Sequence, residues 1–434
     1  MRYFIETLGC PKNHVDSEKL AGLLVTQGYE PTTQIDEADL VVANTCAFIE
    51  AAREESVETV LELAERKRDS ARLVVTGCMA ERYGAELAAA LPEVDLVAGF
   101  GQNLIATPAS TPVTLQRRPT SDFDLLNLPR PRSSAPWAYV KIAEGCDRRC
   151  GFCAIPTFRG DQRSRSTEEI LAEARDLVAG GVRELVLIAQ DLASWGHDRR
   201  RAGRGEPVEA LDGGDPQPLI ALTRALSAEV ERVRLLYLYP SGLTPGLIEA
   251  IVDTGVPYFD LSLQHSSRPL LRAMRRWGDG SRFLDRIAAI RALAPEATFR
   301  SSFILGYPGE TEDDQRNLVA FIEAAQLDWA GFFTFSPEEG TVAGTLGDQV
   351  PHELALERLR EVSEIQDAIT ARRRDALVGT RQRLLVDSPG VARSAHECPE
   401  IDGIVIVDPS IAVGTLFDGV VVASRGTDLE AVPA

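Results

Sequence analysis

Cys146, Cys150 and Cys153 stand within eight residues, in the run Gly145-Cys146-Asp147-Arg148-Arg149-Cys150-Gly151-Phe152-Cys153. Thiolates at this spacing can converge from a single loop on one soft metal centre. A [4Fe–4S] cluster normally takes four cysteines. Three would leave one iron open to a substrate, the same distinction that separates a catalytic zinc site from a closed structural one. A zinc knuckle or a chance grouping is the competing reading. Zinc, however, favours paired Cys-x-x-Cys or Cys/His sets, and no histidine stands near this loop.

Three more cysteines are remote from one another. Each follows a short apolar run: Tyr3 to Leu8 before Cys10, Leu40 to Asn44 before Cys46, and Leu73 to Thr76 before Cys78. Helical patterns run between them, from Ser17 through Gln27 and from Ala52 through Arg68, with Pro11, Asp16 and Gly28 punctuating the first. This alternation predicts a βαβαβ parallel sheet. Each cysteine then falls just past the C-terminal end of its strand, where open parallel sheets form a ligand-binding crevice. The three thiols should meet there, again as a three-ligand site. One buried cysteine commonly acts as a small hydrophobe; three at equivalent strand ends form a pattern.

The Cys-x-x-x-Cys-x-x-Cys spacing, with Phe152 before the last cysteine, resembles the radical S-adenosylmethionine (SAM) superfamily. That resemblance implies SAM chelating the open iron and being cleaved, by an electron from the cluster, to methionine and a 5′-deoxyadenosyl radical. The opening Thr7-Leu8-Gly9-Cys10-Pro11-Lys12-Asn13, the Asn44-Thr45-Cys46 and the Thr76-Gly77-Cys78-Met79-Ala80 are similar to the methylthiotransferases. This likeness spans nearly the whole chain. It implies two [4Fe–4S] clusters, an auxiliary one on Cys10, Cys46 and Cys78 that handles sulfur and a SAM-binding one on Cys146, Cys150 and Cys153.

Elements must be found to carry these residues. The stretch 106–136 is rich in Pro, Ser, Thr and Arg and reads as a linker. A strand over 138–142 feeds the cysteine loop. Strands are then expected at 184–189, 233–239, 258–263, 298–305 and 329–335. Helices are expected at 166–179 (with Thr167 as cap), 218–231, 244–254, 281–293 and 313–325. This is a partial (β/α) barrel of about six strands, short of the eight of a full barrel. The polar, Gly-rich segment 196–217 reads as an exposed loop. Chemistry in such barrels sits at the C-terminal strand ends, which selects Gln190 with Asp191, Gln264 with His265, and Arg300 with Ser302. By the same resemblance, Phe152, Gln190, Gln264, Arg300 and Gly306 are expected near SAM, Gly306 because its strand would lie along the adenine. Arg159, Arg163 and Arg165 are candidates for the SAM carboxylate or, equally, ion-paired surface residues.

A charged helix over 352–374 leads out of the barrel, and residues 378–434 read as short strands with Gly and Pro turns. They suggest a small antiparallel barrel resembling the TRAM domain. The expected domains are thus 1–105, the linker 106–136, the barrel 137–350, a connecting helix 351–377, and 378–434. The last segment is acidic, contains no lysine, and has Phe417 as its sole aromatic. RNA readers need cations and stacking surfaces. A basic protein partner suits it better, with Asp402, Asp408 and Asp418 as expected docking positions. Cys398 reads as structural.

The chain has 434 residues, 44% apolar and 26% charged, with a net charge of −19. That balance argues against a nucleic-acid-coated surface. No run approaches the ~18 apolar residues of a membrane span, and the first residues lack a signal peptide's apolar core. A cytoplasmic protein is expected, with its cysteines as ligands rather than disulfides. The continuation Ala154-Ile155-Pro156-Thr157-Phe158-Arg159-Gly160 resembles the RimO-like group. That implies modification of an aspartate β-carbon in ribosomal protein S-twelve, with a reductant protein and a sulfur donor as partners. tRNA methylthiolation is the alternative resemblance, and an iron–sulfur electron-transfer protein the alternative of another class.

Overall fold

Runs of Val, Leu and Ile with no polar face make strands that can only sit in the middle of a sheet. In the computed structural model, which describes residues 1–105, 125–201 and 217–434, the first such runs are β3 (Leu40–Thr45) and β4 (Arg72–Gly77), flanked by β1 (Arg2–Thr7), β2 (Glu30–Pro31) and β5 (Leu96–Val97). They form one parallel sheet in the order β2-β1-β3-β4-β5. Helices α1 (Pro11–Thr26), α2 (Glu50–Arg66) and α3 (Cys78–Ala90) cross between the strands. The expected βαβαβ core is present, widened by β2 and β5. Helix α1 begins at Pro11 rather than near Ser17. A proline in the first turn loses no hydrogen bond, because that N–H has no intrahelical partner anyway.

Six further parallel strands, β6 (Trp137–Lys141), β9 (Glu184–Ile188), β10 (Arg232–Leu235), β11 (Tyr258–Gln264), β12 (Thr298–Leu305) and β13 (Trp329–Thr334), build the partial barrel. They pair as β6-β9-β10 and β11-β12-β13, and a parallel bridge between Leu238 and Leu261 joins the two halves. Between β6 and β9, a small antiparallel pair, β7 (Ala143–Glu144) and β8 (Arg163–Ser164), clamps the base of the cysteine loop. The helices are α4 (Ile155–Phe158), α5 (Thr167–Ala179), α6 (His197–Arg201), α7 (Pro218–Ser227), α8 (Pro245–Asp253), α9 (Arg268–Ala273), α10 (Gly280–Leu293) and α11 (Glu312–Ala325). Ser166, not Thr167, caps α5, in a reciprocal capping box with Glu169. Outward residues such as Phe259, Leu261, Phe299 and Phe303 join the main core under these helices. The alternate residues, Asp260, Ser262, Arg300 and Ser302, therefore face the barrel interior.

Helix α12 (His352–Asp375) leads to a closed barrel of β14 (Arg381–Ser388), β15 (Val391–Arg393), β16 (Val405–Ile406), β17 (Leu416–Arg425) and β18 (Asp428–Pro433). Its pairs are antiparallel except β16 with β18. The segments 106–124 and 202–216, parts of the expected linker and exposed loop, lie outside the described residues. The remainder of the linker is tied down: Arg130 bonds Tyr139 O, Glu18 and Glu173. Among the described residues no helix is long and apolar enough to cross a membrane.

The loop 394–402 seals the N-terminal end of the large barrel. Tyr139 Oη donates to Pro399 O (3.0 Å) and Trp329 Nε1 to His396 O (2.8 Å). Beside it, Glu184 is buried among Arg234 (2.7 Å), Arg393 (3.0 Å) and Arg232 (3.8 Å). Cys398 is fully buried in this junction. Asp402 is also buried here, bonded to Tyr258 Oη (2.5 Å) and Cys398 N (2.8 Å) and lying 3.6 Å from Arg300. This corrects its expected place on a docking surface; Asp408 and Asp418 are exposed.

Burial pushes the Asp402 carboxyl up to about 6, against the pull of Arg300. A folded-state value above the ordinary ~3.9 means the fold prefers the protonated acid, so this contribution is full below pH ~4 and fades as pH rises through ~6. Asp402→Asn should therefore flatten the loss of stability between about pH 4 and 6, by up to about 3 kcal/mol. Denaturant midpoints measured across that range check this; identical slopes in both proteins would refute it.

Candidate metal centre

The three N-terminal cysteines occupy equivalent places. Cys10 is the residue before α1, Cys46 follows β3 directly, and Cys78 follows β4 as the first residue of α3. Local sequence enforces this. Gly77 has φ +93°, and a Cβ there would meet Asn44 Oδ1 at 2.3 Å and Thr45 O at 2.5 Å. Asn13 Nδ2 donates to Leu8 O (2.8 Å) and Thr45 O (3.2 Å), tying the first two strand ends together. Asn44 Nδ2 donates to Asn13 O (2.8 Å). The polar residues around each cysteine thus stitch the sheet edge that presents the thiols.

The second triad is held by the β7–β8 clamp and by backbone bonds from both sides: Cys146 N to Gly160 O (3.0 Å), Gly151 N to Met274 O (2.9 Å) and Ala343 N to Gly151 O (2.8 Å). Arg276 Nη1 lies 3.4 Å from Cys150 Sγ, and Arg148 N lies 3.4 Å from Cys146 Sγ. Burial pushes the thiols of Cys146 to about 11 and of Cys78 and Cys153 to about 12, and raises Cys46 as well. Left alone they stay protonated; a bound metal deprotonates such groups.

A buried ion network joins the two triads. Arg159 donates to Cys78 Sγ through Nη2 (3.0 Å) and Nε (3.3 Å). The same guanidinium bonds Asn13 Oδ1 (2.7 Å), Asp16 Oδ2 (3.2 Å) and both oxygens of Glu144 (2.9 and 2.8 Å). Lys141 Nζ bonds Asp16 and Glu144 (2.6 Å), and Gln190 Nε2 donates to Glu144 Oε1 (2.6 Å). Burial works to raise the Glu144 carboxyl, but Arg159 and Lys141 outweigh it and hold it well below the usual range. Glu144 is two residues from Cys146 and Arg159 touches Cys78, so one set of charges fixes both thiol sites.

The other candidates fall in different places. Arg165 is buried against Glu173 (2.7 Å) and Lys141 O (3.1 Å), and Arg163 lies on β8. Neither Arg159 nor Arg165 is a solvated surface group. Arg300 is held by Asp260 (3.0 Å) on the barrel interior. Gln264 ends β11 with φ +71° and is half-buried. Asp191 pairs with Arg148 (2.7 Å). His265 is fully buried, its Nδ1 accepts from Ser267 N (3.0 Å), and burial drops it to about 4, so it is neutral. Gly306 has φ +77°, and a Cβ there would meet Ala355 Cβ at 2.6 Å; packing against α12 already requires it. Phe152 is partly buried against the main core. Asp16, Lys141, Glu144 and Arg276 were not singled out from sequence. The one available signal was charge beside cysteine: Lys141 and Glu144 flank Cys146.

A partial parallel barrel with a Cys-x-x-x-Cys-x-x-Cys loop above its strands defines a radical SAM enzyme. The radical SAM superfamily model matches residues 140–322, the TRAM domain model residues 378–433, and the model described as uncharacterized protein family UPF0004 residues 2–99. Ribosomal protein uS12 methylthiotransferase RimO of Streptomyces coelicolor is 40% identical over 484 residues, covering 98% of this chain and 95% of that protein. Its namesake in Moorella thermoacetica is 42% identical over 423 residues, covering 95% and 94%. The chain belongs to this RimO methylthiotransferase family. Among solved structures, the radical SAM methyltransferase TsrM from Kitasatospora setae shares the fold at a TM-score of 0.54 and 13% identity, covering 95% of this chain and 83% of that one.

Membership implies SAM and [4Fe–4S] clusters, and the donor sets fit them. Both are all-thiol, as iron–sulfur sites are. Among the described residues no three His, Cys, Asp or Glu groups converge tightly enough for one metal ion; a four-iron core is a larger body that spaces its thiolates apart. The N-terminal site also needs a bare Gly9. With φ +92°, a Cβ there would stand 2.8 Å from Cys46 Cβ and 3.0 Å from its Sγ. Gly9→Ala should displace Cys46, and reconstituted iron should drop from about eight to about four per chain. Iron analysis reads this directly, and an unchanged content would sink the argument.

Proposed function

We propose that this protein places a methylthio group on the β-carbon of an aspartate in ribosomal protein S12. The observation that carries this reading is the pair of three-thiol sites on separate scaffolds, bridged by Arg159 and Glu144. A single cluster site would suffice for cleaving SAM alone. A second, sulfur-handling site is what transfer of a methylthio group adds. The full-length likeness to uS12 methylthiotransferases supports the substrate.

In this reading Cys10, Cys46 and Cys78 hold the auxiliary cluster and Cys146, Cys150 and Cys153 the SAM-binding one. When bound, these groups supply the radical and the sulfur that an unactivated C–H bond demands and that no side chain can provide. The chain's own residues bind and orient. Arg276 and the Arg148 amide lie against sulfurs of the second triad, and Arg159 against the first. Such donors around a cluster tune its potential. Phe152, Gln190, Gln264, Arg300 and Gly306 are the proposed surroundings of SAM. Gln190 would face it with a side chain anchored on Glu144. A reductant protein and a sulfur donor complete the reaction.

Replacing Cys146, Cys150 and Cys153 by Ala should abolish reductive SAM cleavage. Replacing Cys10, Cys46 and Cys78 should spare deoxyadenosine formation and stop methylthio transfer. Mass spectrometry of ribosomal protein and of tRNA, incubated separately with reduced enzyme and SAM, shows which gains the group. Modification of tRNA alone would overturn the reading.

A further inference from the structure

Lys12 lies in the first turn of α1, two residues past Cys10. It is 8% exposed, and its ammonium stands 3.2 Å from the centre of the Tyr237 ring. Apart from that ring it has no hydrogen-bond or ion-pair partner among the described residues. A buried cation without a counter-ion is costly, and an aromatic face offsets only part of the cost. Nζ is nevertheless not one of the sealed, partnerless side-chain nitrogens, so it borders space that another atom can enter.

The charged groups that face Lys12 are Cys10, Arg159, Asp260 and Glu144. Both acids are already engaged. Asp260 holds Arg300 (3.0 Å) and accepts from Tyr237 N (2.8 Å), while Glu144 is saturated by Arg159, Lys141 and Gln190. Tyr237 itself is kept in a left-handed conformation, φ +62°, that a bulky residue rarely adopts. That turn presents its ring to Lys12. The site therefore holds one uncommitted positive charge beside a proposed cluster ligand, inside a wall of fixed charges. One small anion would complete it. A phosphodiester chain calls for several cations in a row; a single carboxylate calls for one.

This step rests on the reading above, in which the substrate is an aspartate side chain. We propose that Lys12 receives the carboxylate of the target aspartate and so holds its β-carbon next to the Cys10, Cys46 and Cys78 site. Lys12 is then a specificity residue: it selects an acidic side chain over a neutral one of the same shape.

The test is binding of ribosomal protein S12 to reconstituted holoenzyme, with the target residue as Asp or as Asn. The wild type should bind the Asp form at least about tenfold more tightly, as close charge pairs at interfaces do. Lys12→Met should abolish that preference by weakening the Asp form alone, with about eight irons retained. Lys12→Arg, which keeps the charge, should retain a preference for Asp. In turnover, Lys12→Met should raise KM for the Asp protein. Equal weakening toward both forms, or a preference that survives in Lys12→Met, overturns the inference. Should Lys12→Met fail to hold its clusters, equal affinity of the wild type for both forms overturns it as well. A wild type that modifies tRNA and neither form of the protein sinks the functional reading itself, an outcome distinct from these.

Discussion

The contact on which the rest depends is the guanidinium of Arg159, buried among Asp16, Glu144, Asn13 and Cys78. Its residue follows the SAM-type cysteine loop, but its partners belong to α1, the end of β4 and the clamp before Cys146. Remove it and four acceptors each lose a donor at once, with Lys141 left as the sole cation between Asp16 and Glu144. Breaking such a buried pair leaves an uncompensated charge, which costs about 3–5 kcal/mol. An apolar seam would be as stable, yet it would fix neither angle nor distance. Directional bonds do, and they hold the two thiol triads at a set angle and separation. The apolar part of the joint is modest: Ala154 and Phe158 from beside the loop enter the N-terminal core with Cys78 and Met79.

Charge is also rationed inside the barrel. Parallel pairing puts Asp260 opposite Arg300 on one interior face, with Ser262 and Ser302 next along it. The outer face is hydrophobic and supplies the core beneath the helices. This part of the interior is thus polar by register; elsewhere α1 rather than a seventh or eighth strand covers the open side, with apolar contacts of Val15 to Tyr139, Val186 and Ile188. The N-terminal sheet is in this sense part of the barrel's wall.

Much of this was legible from sequence. The six triad cysteines could be placed at strand ends and in one loop because apolar runs and glycine stops are local signals. The six large strands were placed within a few residues for the same reason. What sequence missed was short or long-range. β2, β5, β7 and β8 have two residues each, too few for a period to register. The start of α1 was hidden because Pro11 looked like a breaker. The ion network could not be read at all: Asp16 and Arg159 meet across 143 positions, and no periodicity links them. Asp402 was mistaken for surface because an acidic, turn-rich segment gives no sign that one of its carboxyls will be buried under Tyr258.

The seal at the foot of the large barrel bears on how the chain is made. Tyr139 finds its partner at Pro399, 260 residues later, and Trp329 at His396, 67 residues later. Domains generally fold from the N-terminus during synthesis, and contacts of great sequence separation form late. The barrel's aromatic floor therefore stays open through the whole of its own translation and closes only when the final small barrel leaves the ribosome. A chain cut short before residue 394 would keep both cysteine triads and still expose that floor, making truncated products aggregation-prone rather than simply less active.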